Sequence, residues 1–231
     1  MKCPKCGYEQ NKGEMCQKCG IYFHKYERVQ QRKRVQNKLE EVGLLWQMNE
    51  AGNPLYRAGR LLVLLGLVWL SWSLIFSPID FWQGNVASRS FLHNINLPFH
   101  EFGHLVFRAF GSLMHSLGGS LGQLLMPLVC FFVLLWQTGD AFGAAVCLWW
   151  LGESLLDLAP YIHDALHLSM PLLGGNEGSS SPYGFHDWEF ILTETGLIQN
   201  AENIAHFIHV AGSVVMSLAL FWMLLLMIKR N

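Results

Sequence analysis

The apolar positions of this chain gather into five stretches, at about 60–77, 96–112, 120–137, 141–159 and 204–228. A helix rising about 1.5 Å per residue needs about 20 such positions to cross a hydrocarbon core of about 30 Å. The first stretch runs through Leu61-Leu62-Val63-Leu64-Leu65 to Trp72 and is stopped by Pro78 and Asp80, with Trp69, Trp72 and Trp82 suited to an interfacial belt. Gly118-Gly119 is expected to precede the third, and Thr138-Gly139-Asp140 to turn the third into the fourth as a hairpin. Residues 160–173 are mixed, and 174–182 form a Gly/Ser-rich loop. Ahead of all of them, 22–47 reads as a basic amphipathic helix, with Val35, Leu39, Val42 and Trp46 on one face and Asn53-Pro54 as its end. The expected fold is therefore mainly α, a polytopic helical membrane protein.

Composition agrees with a membrane-embedded chain: 52% of the 231 residues are hydrophobic and 14% charged. Residues 1–60 carry 12 of the 16 Lys and Arg, and none lies between Arg108 and Lys229. The positive-inside rule then places the N-terminus in the cytoplasm, and Lys229-Arg230 argues the same for the C-terminus. Both together require an even number of crossings, so one of the segments, 93–117 or 160–173, is expected to be re-entrant or short. The loop 174–182 is then expected on the non-cytoplasmic side. No secretory signal is read at Met1-Lys2-Cys3-Pro4, so insertion is expected to begin at an internal span, in a bacterial inner membrane. Acidic groups without lysine or arginine in an apolar region call for another positive partner, and a metal ion would supply it.

Residues 1–24 are too few to bury a core. They hold Cys3-x-x-Cys6 and Cys16-x-x-Cys19, nine residues apart, each pair followed by a glycine, Gly7 or Gly20. Two such turns bring four thiolates to one tetrahedral Zn²⁺. Domains are accordingly expected at 1–24 (zinc ribbon), 25–58 (basic juxtamembrane helix and linker) and 59–231 (membrane domain). Lys25, Arg28, Arg32, Lys33 and Arg34 are expected to meet anionic lipid headgroups, and the ribbon to recruit a cytoplasmic protein partner; nucleic acid is not the expected partner. Cys130 and Cys147 read as packing residues.

The second apolar stretch contains His100-Glu101-Phe102-Gly103-His104. Residues four apart share a helix face, so both imidazoles can ligate one Zn²⁺ while Glu101 stands beside its water as general base. Ionisable groups in an apolar segment are costly unless they serve a site.

Phe99-His100-Glu101-Phe102-Gly103-His104, followed by Ala109 and Gly111, resembles the active-site helix of site-2 proteases. The resemblance implies an intramembrane zinc metallopeptidase acting on a membrane-embedded or membrane-adjacent peptide segment, with Glu101 catalytic, His100 and His104 on zinc, and an aspartate from a later segment as third ligand. Asp157-Leu158-Ala159-Pro160-Tyr161-Ile162-His163-Asp164-Ala165 partly matches the family's motif there and makes Asp164 the first choice. Glu153 with Asp157 resembles the ligand element of membrane gluzincins and competes with it, as do His163, His167, His186 and Asp187. Two zinc ions are thus expected, one catalytic and one structural. A non-hydrolytic zinc-binding scaffold or adaptor is the other class of function the residues allow. His206 and His209 read as hydrogen-bonded interior residues, and Asn94 and Asn96 as cap or substrate-positioning groups.

Overall fold

The computed structural model describes residues 1–11, 13–48 and 52–229, and among them it is built of seven α-helices with no strand. It divides into two compact units, 1–47 and 48–231.

The first unit begins with two matching turns. Cys3 N–H donates to Tyr8 O and Gly7 N–H to Cys3 O; Cys16 N–H donates to Ile21 O and Gly20 N–H to Cys16 O. Gly7 (φ 72°) and Gly20 (φ 69°) take the left-handed conformation that closes each turn, which only glycine adopts without strain. Helix α1, Phe23–Leu44, follows. Its end falls short of Asn53-Pro54, which opens the next helix instead. The side chains of Lys33, Arg34, Val35, Leu39 and Val42 lie outside the described set, so the expected apolar face falls there, as does Arg230.

In the second unit α2 spans Pro54–Ile75: Asn53 Oδ1 accepts from Leu55 N–H at 3.0 Å, and proline at the first position costs no hydrogen bond. Then come α3 (Phe91–Phe107, capped by Ser90 Oγ on His93 N–H), α4 (Ser112–Phe132, continued by a wide turn to Gln137), α5 (Ala141–His163), α6 (Asp187–Glu194) and α7 (Ala201–Ile228). Helices α2, α4, α5 and α7 are long and apolar enough to cross a membrane. Four such helices fit an integral membrane protein. α3, with 17 residues, is shorter than any of these four.

Helix α5 is the centre of this unit, with 61% of its apolar stretch buried against 17–28% in the other three. Outward faces are apolar too: Phe207, Val210, Val214, Leu218 and Phe221 are exposed along α7, at steps of three and four. Such a stripe suits lipid rather than water. Bonds across the helices set their directions. Ile75 O meets His209 and Arg57 meets Met227 O, so α2 and α7 run oppositely. Trp149 bonds Ser71 and Arg60 lies over Phe142, so α2 and α5 run together.

Gly118 and Gly119 sit inside α4 rather than ahead of it. A Cβ on Gly103, Gly118 or Gly122 would collide with the backbone of the facing helix, so glycine at these positions allows α3 and α4 to touch at main-chain distance. Helix propensity gives way to that contact.

Candidate metal centre

The α3–α4 contact aligns the motif. His100 is buried, His104 half-buried and Glu101 exposed, and their donor atoms lie within 4.8 Å of one another. Both imidazoles are held at Nδ1. His104 Nδ1 meets the His115 carbonyl at 2.8 Å while His115 Nδ1 meets the His104 carbonyl at 2.9 Å, a reciprocal pair across the α3–α4 turn. His100 Nδ1 meets Gln123 Oε1 at 3.3 Å. A proton on each Nδ1 leaves each Nε2 as a free lone pair, which is the state a metal ligand needs.

Both free nitrogens point at one carboxylate oxygen. Asp187 Oδ2 stands 3.2 Å from His100 Nε2 and 3.3 Å from His104 Nε2. Ligands bonded to one tetrahedral ion at about 2.05 Å are separated by about 3.3 Å, so the donors already have the spacing of a coordination shell. Opposite them is Gly119, where a Cβ would come within 3.0 Å of both Nε2 atoms and fill the space beside them. Burial pushes the Asp187 carboxyl up, and His100 and His104 bring it below its ordinary range only while they carry a proton on Nε2; with both protons on Nδ1, the lone pairs and the carboxylate oxygen face one another as three donors for a cation. These residues can hold a metal ion.

Asp187 owes its place to α6. His186 Nδ1 accepts from Glu189 N–H at 3.2 Å and caps the helix, so the proton is on His186 Nε2, 3.5 Å from Asp164 Oδ2. Tyr161 donates its O–H to Asp187 Oδ2 at 3.2 Å and accepts from Asp187 N–H at 3.0 Å. Trp188 Nε1 donates to Ser120 Oγ at 3.2 Å, tying α6 to α4.

The first-choice third ligand, Asp164, is placed otherwise. Its carboxylate accepts from Ser169 N–H (3.0 Å), Ser169 O–H (2.8 Å) and Met170 N–H (2.9 Å), and pairs with His186. It supports the segment that carries Asp187. Glu153 and Asp157, the competing pair, do face α3, but at Asn96, one turn before His100. Asn96 Nδ2 donates to Glu153 Oε2 at 3.0 Å and to Asp157 Oδ2 at 3.1 Å, and Gln123 Nε2 donates to Asp157 Oδ2 at 2.9 Å. His93 Nδ1 meets Asp157 Oδ1 at 2.8 Å. Buried Asn96 is thus neither cap nor exposed substrate group; its Oδ1 accepts from Trp150 at 2.8 Å. The partners of these two acids are thus two neutral amides and one imidazole.

A cavity of about 670 Å³ opens on the site. His93, Glu101, His115 and Tyr161 line it on the polar side, and Leu97, Leu158, Met170, Leu172 and Phe185 on the apolar side. Sequence reasoning missed Gln123, Gly119 and Tyr161. Gln123 carried a signal, a fully polar amide inside an apolar run, which by itself implies a buried partner.

In the first unit Cys3 Sγ lies 3.8 Å from Cys19 Sγ and Cys6 Sγ 3.7 Å from Cys16 Sγ, all four within 4.8 Å, with no disulfide. Burial pushes the Cys3 thiol up, yet N–H groups of Cys6 and Lys5 and the neighbouring thiols lower it to about 6, while at Cys19 the N–H of Ile21 is outweighed by burial and the other three thiols, which raise it to about 12, so a first thiolate forms readily and the last only with a cation present. This cluster can hold a metal ion as well. Cys130 and Cys147 belong to neither centre.

Comparison with protein-family models, with curated proteins and with solved structures returns no match for this chain.

Proposed function

We propose that this protein is an intramembrane zinc metallopeptidase of site-2-protease type that hydrolyses a peptide bond in a membrane-embedded or membrane-adjacent segment. The observation that carries the reading is the convergence of His100 Nε2, His104 Nε2 and Asp187 Oδ2 beside Glu101. Two histidines and one carboxylate are a donor set for zinc that leaves a position open for water. Zinc there would lower the pKa of water toward neutrality and polarise a carbonyl.

The remaining work falls to side chains of this chain. Glu101, exposed toward the cavity, takes a proton from the attacking water and returns it to the leaving amine. His93, fixed by Asp157 on the same wall, donates to the carbonyl oxygen as negative charge grows. The apolar side of the cavity receives flanking side chains of the substrate segment.

The four cysteines hold a second, structural zinc: tetrahedral Zn–S bonds of about 2.3 Å separate sulfurs by about 3.8 Å, the spacing found between Cys3 and Cys19. In this reading the chain lies in a bacterial inner membrane with its N-terminus cytoplasmic and the ribbon free to engage a protein partner. The test is cleavage of single-span peptides in proteoliposomes, read by mass spectrometry. Glu101→Gln should retain zinc and lose at least about 100-fold in rate, the usual contribution of a general base; equal cleavage by the variant would end the peptidase reading.

A further inference from the structure

At the end of α5, away from the cavity, three more ligand groups meet. His163 and His167 stand four residues apart with ring centroids 5.4 Å apart, and Glu202, in the first turn of α7, places Oε1 3.8 Å from His167 Nε2. Their donor atoms lie within 4.8 Å of one another. Among the described residues no hydrogen bond occupies the ring nitrogens of either histidine, in contrast to His93, His104, His115 and His186, each of which has a nitrogen committed. Among the described residues the ion pair of Glu202 is with His167 and not with a lysine or arginine.

We infer that His163, His167 and Glu202 form an additional binding site for a divalent transition metal, of the class imidazole ligands select, such as Zn²⁺ or Ni²⁺. The scaffold beneath it is fixed. Ile162 and Ala165 on one side and Ala201 and Ala205 on the other are buried in one apolar cluster, so the ligands are presented by two elements already packed together. The half-exposed side chains of His167 and Glu202, 52% and 57%, leave the metal open to water on one side, which makes the site exchangeable. Its place also gives it a consequence. The turn between the two histidines, 164–166, starts with Asp164, which anchors Ser169, Met170 and His186. A metal bridging His163, His167 and Glu202 staples that turn to α7 and stiffens the support of α6.

The experiment is a zinc titration of the purified full-length protein in detergent, with free zinc set by a chromophoric chelator and bound metal counted per chain. Wild type should take up one more equivalent at micromolar free zinc than the His163→Ala/His167→Ala variant, and micromolar zinc should raise the melting temperature of wild type alone. Glu202→Gln, a conservative change at an exposed position, should shift the added uptake to about tenfold higher zinc. Because the readout is a difference in equivalents, it stands whether or not the cavity site is catalytic. Equal uptake by wild type, the double variant and Glu202→Gln would reduce the cluster to a surface His–Glu pair.

Discussion

Removing Asp187 and removing Asp164 should damage different properties, and the contrast follows from where each carboxylate is spent. Asp187→Ala takes away the one carboxylate oxygen that both Nε2 atoms share. Loss of a residue that merely supports a ligand weakens metal binding roughly 10–100-fold, so loss of a ligand should cost at least about 100-fold, or about 2.7 kcal/mol. Asp164→Ala instead strands the N–H groups of Ser169 and Met170 and removes the carboxylate 3.5 Å from Nε2 of fully buried His186. At about 1–3 kcal/mol per unsatisfied buried group, partly relieved by water, the fold should lose about 2–5 kcal/mol. The assay is zinc per chain at nanomolar buffered zinc, with thermal unfolding on the same preparations. Wild type should hold two zinc ions and Asp187→Ala one, while Asp164→Ala should keep two but melt lower. Loss of zinc in Asp164→Ala with unchanged melting would return the third ligand to Asp164 and refute the geometry.

Gly119→Ala should also drop one zinc, since its methyl group would enter the space beside both Nε2 atoms; helix propensity alone would favour alanine by about 1 kcal/mol, so circular dichroism should show α4 intact. Replacing Cys3, Cys6, Cys16 and Cys19 by serine should cost the other zinc and unfold residues 1–22, whose buried apolar contacts are little more than Cys3, Cys16 and Phe23; a change in amide protection confined to that segment would be seen by hydrogen exchange.

Local patterns carried most of the architecture. The spans, the cysteine pairs and the His-Glu-x-x-His helix each depend on residues a few positions apart, and spacing on a helix or in a turn fixes how they face. Asp187 does not: 83 residues separate it from His104, and no period in the intervening chain says that α6 will lie across α4. Resemblance therefore favoured Asp164, which sits near the expected motif and was found supporting the neighbouring histidine. The glycines of α4 misled for a related reason. Gly118-Gly119 reads as a break when only propensity is weighed, whereas contact with Gly103 on another helix is what glycine serves there. Glu153 and Asp157, the competing ligand pair, meet α3 at Asn96 rather than at the histidines, because which turn of α3 they reach depends on the close approach of the helices.

The most direct test of the central claim is the position of the metal itself, from anomalous diffraction at the zinc edge on crystals of the full-length protein. The account predicts a peak about 2.0–2.2 Å from His100 Nε2, His104 Nε2 and an Asp187 carboxylate oxygen, with Glu101 beside it and not bonded to it. A peak coordinated by Asp164 or Glu153, or no peak at the two histidines in protein shown to contain zinc, would contradict it.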